Sequence, residues 1–301
     1  MEQGTDGTAQ HPQAETPTTA LARTRPGPDI IYRRPDFGDF DGLPKYWAGG
    51  NPGASFAQGV FSLVIPEGEK FFIRSVIALK GEVDDPELQA DIKAFTRQEG
   101  SHTRAHLIFN EALRPHGYDI EGATDNTRRV FEVVEKYFSK RAALAVTVFL
   151  EHLTALGSEI EFRFPELAEG SDPRAAAFWR WHAAEELEHK AVAFDVYRAA
   201  GGSYFTRVMA VFMFMLVAMF VSFGRAGRQA KGFKRVPTDE KPVPTSALTQ
   251  RHPGLRKRVG SFAIRYFLAY FRPSFHPWEV NSTRFLDAWR LEAEASPVVY
   301  S

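Results

Sequence analysis

The sequence predicts an all-α protein built around a four-helix bundle. Four segments are long enough to pack side by side and have helix-start and helix-stop residues at their ends; they cover about 66–80, 86–114, 139–163 and 173–200. No stretch shows sustained alternation of apolar and polar residues, so we expect almost no sheet. Long helices joined by loops bury their apolar faces most simply against one another.

Proline and capping residues set the predicted helix boundaries. The first long helix is expected to begin at Pro66, because proline is well suited to the first turn of a helix. Asp85 and Asp172 each precede a proline and can cap the helix that follows. A shorter helix is predicted at 126–137, between the second and third long helices.

The predicted bundle is flanked by two segments of different character. Residues 1–28 are rich in Thr, Gln, Gly and Pro without apolar periodicity, which predicts a disordered tail. The bundle is expected to occupy residues 29–202, starting with an extended lead-in. Residues 203–301 are predicted to form a C-terminal helical extension, with helices at 208–224, 255–271 and 279–294.

Composition limits the chemistry available to this chain. It contains no cysteine, so disulfides, thiolate-bound haem and all-cysteine iron–sulfur sites are excluded, and any bound metal must use His, Asp or Glu. The 37 basic and 37 acidic residues balance, which predicts no nucleic-acid partner. The N-terminus has no basic-then-apolar signal segment, and we therefore expect a cytoplasmic protein.

Two of the predicted helices share a Glu-x-x-His pattern. Glu99 and His102 lie in the second long helix, and Glu186 and His189 lie in the fourth. Residues three apart in a helix share one face, so each pair can reach a single point on the bundle axis. One such pair is common by chance, whereas two pairs on separate helices indicate a shared site.

The other two long helices each supply a glutamate. Glu69 follows Pro66 in the first helix, with Glu67 as the alternative. Glu151 follows the uncharged run 142–150 in the third helix. A lone carboxylate in such an apolar segment would be costly to bury unless a cation neutralised it.

Taken in order, the helices supply Glu, Glu-x-x-His, Glu and Glu-x-x-His. This order is typical of ferritin-like di-iron and di-manganese bundles. Oxygen-rich ligation with imidazole predicts two iron ions, with Mn/Fe or Mn as alternatives. The predicted catalytic and metal-binding residues from this pattern are Glu69, Glu99, His102, Glu151, Glu186 and His189.

A seventh residue comes from a resemblance. The spacing His182-x-x-x-Glu186-x-x-His189 resembles the last core helix of the p-aminobenzoate N-oxygenase type of di-iron enzyme. This resemblance implies that His182 is a third histidine ligand. The alternative is a histidine beside the site that does not bind metal.

A second resemblance covers nearly the whole predicted folded chain. The segments Pro-Glu-Gly-Glu at 66–69, Gln-Glu-Gly-Ser-His at 98–102 and Glu-Glu-Leu-Glu-His-Lys-Ala-Val-Ala-Phe-Asp-Val-Tyr at 185–197 resemble the bacterial "predicted metal-dependent hydrolase" family. The family description implies hydrolysis.

The ligand set leads us to predict an oxidative enzyme in first place. We expect a di-iron oxidase or oxygenase that uses O₂ and an external electron donor to act on a small hydrophobic substrate. The alternative is a hydrolase whose two metal ions activate a water molecule. A third hypothesis is a non-enzymatic metal-binding or membrane-associated protein.

Several residues near the pattern have weaker predictions. His106 is expected near the site without binding metal, and His152 is expected to point elsewhere. Glu185 and Glu188 are predicted to be solvated helix charges, and Asp195 is a candidate partner for a ligand imidazole.

The uncharged segment 208–224 has three interpretations. It could span a membrane, pack as a buried helix, or lie on a membrane surface with the basic residues after it against anionic lipid. We favour a surface helix or a wall of an apolar substrate tunnel, which predicts peripheral membrane contact through 205–235. A homodimer is a further expectation that the sequence leaves open.

Overall fold

The computed structural model describes residues 26–223 and 226–294, and within these ranges there is no β-strand. The all-α prediction is confirmed. The predicted disordered tail 1–28 falls almost entirely outside the described residues. The helices, in chain order, are α1 (Pro52–Ile77), α2 (Pro86–Leu113), α3 (Ile120–Tyr137), α4 (Lys140–Arg163), α5 (Pro173–His189), α6 (Val192–Ala199), α7 (Tyr204–Ser222), α8 (Ala226–Arg235), α9 (Thr245–Arg251), α10 (Leu255–Ala269) and α11 (Thr283–Glu294).

Helix α1 begins at Pro52, so the prediction that Pro66 opens it is wrong. The side-chain oxygen of Asn51 caps the first turn at 2.8 Å. Pro66 lies inside the helix and has no N–H for the carbonyl four residues earlier, which belongs to Ser62. That carbonyl instead accepts a hydrogen bond from Asn110 Nδ2 on α2 at 3.1 Å. This contact between helices makes the interior proline tolerable.

The predicted helix 173–200 is divided into α5 and α6. The break falls at Lys190 and Ala191, directly after the second Glu-x-x-His pair. Lys190 is buried there, and its Nζ donates to Val280 O and Ser282 Oγ, each at 2.7 Å. These partners lie far along the chain, so the local pattern does not show the break.

Four helices enclose one interior. Helix α1 packs against α2 and α4, and α5 packs against the same two helices. Each of the four contributes buried polar side chains to the space between them. The ferritin-like relation and the domain boundary at residue 202 stay predictions.

Two apolar clusters lie on either side of this polar interior. One includes Phe71, Phe95 and Val148, and the other includes Phe109, Phe178 and Trp181. The first reaches the interior where Phe95 meets the His189 ring edge-on, with 4.9 Å between ring centroids. The second reaches it where Trp181 meets His102 at the same distance. The polar groups are therefore enclosed by packed apolar side chains on both sides.

The C-terminal helices pack against this core. Helix α7 lies against α3 and α4, α10 lies against α4, and α11 lies against α5. Among the described residues, two helices are long and apolar enough to cross a membrane by length and composition, α4 and α7. The most apolar window of α4 is 72% buried, as expected for a core helix, whereas that of α7 is only 22% buried.

Candidate metal centre

All seven residues predicted as ligands meet in the interior between α1, α2, α4 and α5. They form two adjacent groups, and within each group one ligand atom per residue lies within 4.8 Å of the others. Every member is buried. The first group is Glu69, His102, His182 and Glu186, and the second is Glu99, Glu151 and His189.

Glu186 lies between the two groups. Its Oε1 is 3.2 Å from His182 Nε2 and 3.4 Å from His102 Nδ1. The same oxygen is 3.6 Å from His189 Nε2, which in turn lies 3.0 Å from Glu99 Oε1. Glu186 is therefore placed where one carboxylate could contact ions held by both groups.

Many of the converging atoms have no hydrogen-bond partner among the described residues. Leaving such groups buried and unsatisfied costs on the order of 1–3 kcal/mol each, and more when they are charged. Two divalent cations would match the charge of four carboxylates and would satisfy these atoms. The residues therefore fit a metal centre. The unsatisfied atoms are Glu69 Oε1, both carboxylate oxygens of Glu99 and of Glu151, Glu186 Oε2, His102 Nδ1 and His189 Nε2.

The electrostatics of the centre support the same conclusion. Burial, together with the nearby Glu99 carboxylate, raises the pKa of Glu69 and of Glu151 well above the usual range. Without a cation, these carboxyls therefore favour their protonated, neutral forms. A bound cation would reverse this preference because it stabilises the charged forms.

Hydrogen bonds to the far nitrogens turn two imidazoles toward the centre. His102 Nε2 is 3.0 Å from Glu185 Oε2, which leaves Nδ1 facing the interior. His189 Nδ1 donates to Gln98 Oε1 at 2.8 Å, which leaves Nε2 facing the interior. Partners of this kind fix the ring orientation of metal-binding histidines and increase the basicity of the other nitrogen.

A longer hydrogen-bonded chain orients His182. Ser62 Oγ donates to Asn110 Oδ1 at 2.6 Å, so it must accept from His106 Nδ1 at 2.8 Å. His106 Nε2 is then unprotonated and accepts from His182 Nδ1 at 2.8 Å. His182 Nε2 is left with a free lone pair toward the centre. Asn110 is itself held by the Ser62 carbonyl that Pro66 leaves free, so the interior proline helps to set this tautomer.

Two glutamates predicted to be solvated are buried instead. Glu185 bonds His102, as described above. Glu188 pairs with Arg33 at 2.9 Å and with Arg290 at 2.9 Å, and it accepts from Gln98 Nε2 at 2.9 Å. The prediction is wrong because these cationic partners come from distant segments of the chain.

The other weak predictions have mixed outcomes. Asp195 lies 3.1 Å from His276 on the C-terminal segment, a histidine outside both ligand groups. His152 points away from the centre, 3.0 Å from the Tyr266 carbonyl. Glu67 lies outside both groups and pairs with Lys70 at 2.8 Å.

Three residues that orient the imidazoles, Gln98, Ser62 and Asn110, were not predicted from the sequence. One signal was present for Asn110: it follows His102 and His106 at intervals of four, so all three share one helical face. Gln98 directly precedes Glu99, but nothing in the sequence indicates which imidazole it bonds. Ser62 lies upstream of the predicted start of the first helix.

A cavity of about 260 Å³ reaches the centre at His182. Aromatic rings form one wall, where Trp47 and Trp179 are stacked at 6.5 Å between centroids and Phe61 stacks on Trp179 at 6.0 Å. The wall formed by α4 includes Thr154, Gly157, Ser158 and Glu161. The cavity provides an approach to the centre for a small molecule.

The fold and the buried carboxylate–imidazole cluster define an all-α protein of the metal-binding class. A family model described as "Predicted metal-dependent hydrolase" matches residues 31–281, and the chain belongs to this family. None of the curated proteins and none of the solved structures matches the chain.

The family contradicts the prediction of a di-iron oxidase or oxygenase and supports the hydrolase alternative. The error has a physical cause, because one bundle with one ligand set can serve several reactions. O₂ and an external electron donor were expected only for the oxidative reaction. Metal dependence is shown by the family and is consistent with the buried clusters.

Proposed function

We propose that the protein is a hydrolase whose centre holds two metal ions. The convergence of unsatisfied carboxylate and imidazole atoms in the interior carries this proposal. The first ion would be held by Glu69, His102 and His182, and the second by Glu99, Glu151 and His189. Glu186 would contact both.

When bound, the ions would supply Lewis acidity and lower the pKa of a water molecule, so that it is a nucleophile near neutral pH. Four carboxylates and three imidazoles suit iron or manganese better than copper. The family match supports hydrolysis, and the number and identity of the ions are part of the proposal.

The chain's own residues would hold the donors in place. Thr103 Oγ1 donates to Glu69 Oε2 at 2.8 Å and leaves Oε1 directed to the centre. Phe95 and Trp181 pack against ligand imidazoles and keep bulk water from those faces. The cavity beside His182 would bring the bond to be cleaved to the centre from one side.

The proposal is tested by metal analysis and hydrolysis together. Protein purified without added metal should contain about two ions per chain and should release 4-nitrophenol from a panel of 4-nitrophenyl esters without O₂. Glu186→Ala should lose both metal and activity, because this residue contacts both groups. Glu67→Ala, on the same interior helix as Glu69 but outside the centre, should retain both.

Two outcomes would contradict the proposal in different ways. Full metal content in Glu186→Ala would show that the ions bind elsewhere. Turnover that stops when O₂ is removed would show that the reaction is not hydrolysis.

A further inference from the structure

The cavity beside His182 contains a carboxylate without a partner. Glu161 is partly buried in the cavity wall, and it makes no hydrogen bond or ion pair with any other described residue. Arg180 acts on Glu161 electrostatically, but its guanidinium donates to Glu292 at 2.9 Å. Burial raises the pKa of Glu161, and the nearby Arg180 guanidinium opposes this shift only in part.

Another part of the cavity wall offers a flat apolar surface. Trp47 and Trp179 are stacked in parallel, with an interplanar angle of 3°. Their indole N–H groups have no acceptor among the described residues. Because Glu161 lines the same cavity, a ring-bearing ligand could pack against these indoles and direct a polar end to Glu161.

We propose that this cavity binds small molecules with a flat apolar body and a protonated amine, with the amine facing Glu161. The inference rests on the proposed hydrolase function only in naming such molecules as the substrate class. An ammonium group would give Glu161 the charged partner that the protein does not supply. Cavity volume limits the ligand to roughly the size of one substituted ring.

Gly157 provides a way to fill the cavity without replacing any of the predicted metal-binding residues. It lies on α4 in the cavity wall, and a Cβ added there would meet no atom within 4 Å. Gly157→Leu should therefore extend into the cavity, and replacing a helical glycine should not destabilise α4. Gly81→Leu, at an exposed glycine that also has open space around it, is the matched control.

The test uses benzylamine and benzyl alcohol as probes, with binding measured by tryptophan fluorescence and calorimetry at neutral pH. The parent protein should bind benzylamine more tightly than benzyl alcohol. Glu161→Gln should lower the affinity for benzylamine by about tenfold and leave the affinity for benzyl alcohol unchanged, because only the ammonium group loses an ionic partner. Gly157→Leu should lower the affinity for both probes, whereas Gly81→Leu should change neither affinity.

Equal affinity for both probes, or a Glu161→Gln variant that keeps the preference for the amine, would overturn the assignment. Metal content measured on the same samples separates this outcome from failure of the proposed function. Intact metal with absent amine selectivity overturns the substrate class alone.

A second inference comes from α7, on a different part of the surface. One face of this helix packs against the protein through Ala210, Val211 and Phe214. Phe214 stacks on Phe131 of α3 with 6.2 Å between centroids. This face accounts for the helix's attachment to α3 and α4.

The outward face of α7 is also apolar. No charged residue occurs from Val208 to Phe223, and Phe220 and Phe223 are 72% and 84% exposed. A surface helix normally carries polar residues on its outer face, and apolar patches of this kind mark contact surfaces. The other exposed large hydrophobic residues of α7 are Tyr204, Phe205, Met209, Phe212, Met213, Met215, Leu216 and Met219.

The helix that follows supplies positive charge. Helix α8 contains no acidic residue, and Arg228, Lys231, Lys234 and Arg235 are all exposed. It is anchored through Phe233, which is buried, so the basic side chains stay outside. Arg228 and Ser222 of α7 line the same surface hollow, which places the start of the basic helix beside the end of the apolar one.

We infer that the outward face of α7 lies in the surface of an anionic membrane, with the basic residues of α8 against lipid headgroups. The inner face of α7 is buried against the protein, which argues for a helix lying in the membrane plane. A helix that crossed the membrane would have to leave α3 and α4 and expose that face to lipid. Positive charge beside the patch favours anionic lipid over a second copy of the chain. A second copy would bring charge of the same sign to the contact, and the two basic helices would repel each other.

The test is co-sedimentation with phosphatidylcholine vesicles, with and without phosphatidylglycerol. The protein should bind only the anionic vesicles. Phe212→Ser and Phe220→Ser should each lower binding by about tenfold, and Lys231→Gln and Lys234→Gln by roughly fivefold each. Leu291→Ser, at a residue 69% exposed on α11, is the control and should bind normally.

Circular dichroism checks that the variants fold. Absence of binding to anionic vesicles, or an equal loss in Leu291→Ser, would overturn the inference. A dimer seen by sedimentation velocity that Phe212→Ser dissociates, without vesicle binding, would assign the surface to a second copy instead.

Discussion

Replacing Asn110 should weaken metal binding through two intervening side chains. In Asn110→Leu, Ser62 Oγ loses its acceptor and no longer has to accept from His106. His106 can then present N–H to His182, whose interior-facing nitrogen would carry a proton instead of a lone pair. Loss of such supporting partners typically costs about 10–100-fold in metal affinity.

The same change leaves the Ser62 carbonyl without the donor that replaces the missing N–H of Pro66. A buried carbonyl left without a partner costs on the order of 1–3 kcal/mol of stability. Affinity is measured by competition with a chromophoric chelator, and stability by thermal unfolding.

Gln89 on the same helix provides the control. Its Nε2 donates to the Lys80 and Val83 carbonyls at 2.9 and 2.7 Å, near the start of α2 and outside both ligand groups. Gln89→Leu should lower stability and leave metal affinity unchanged. An Asn110→Leu variant that loses stability but binds metal as tightly as the parent protein would show that Asn110 does not control the tautomer of His182.

Three further predictions test other parts of the structure. Pro66→Ala should raise the melting temperature and yet lower metal affinity by about tenfold, since the new N–H competes with Asn110 for one carbonyl; a fall in both would contradict this. Metal affinity should decrease as pH falls, by roughly tenfold per pH unit for each carboxyl that must release a proton, because the pKa of Glu151 is raised well above its usual range by burial and nearby carboxylates; a flat chelator titration between acidic and neutral pH would disprove it. Glu188→Leu should cost about 3–5 kcal/mol in denaturant unfolding, because Arg33 is left buried without its main carboxylate; a cost below ~1 kcal/mol would show that the pair contributes little.

The helical periodicity of the chain was enough to predict that the two Glu-x-x-His pairs meet in the interior. Glu99 and His102 share a face because they lie three apart in a helix, and this relation depends only on local geometry. The same holds for Glu186 and His189. The uncharged run before Glu151 predicted its burial.

Orientation and support could not be predicted in the same way. Whether His102 presents Nδ1 or Nε2 depends on Glu185, which lies 83 positions away along the chain. The effect of Pro66 depends on Asn110, a residue of another helix. Such pairs are brought together only when the helices pack, so no local pattern contains them.

The sequence by itself therefore determined the helical class and the facing Glu-x-x-His pairs, because both follow from spacing along single helices, whereas His182 was added by resemblance and Glu69 was preferred to Glu67. Only the tertiary structure decided which atoms of those donors face the interior, which charges support them, and where a small molecule can approach. Those properties arise from contacts between segments that are distant in sequence and close only in the folded protein.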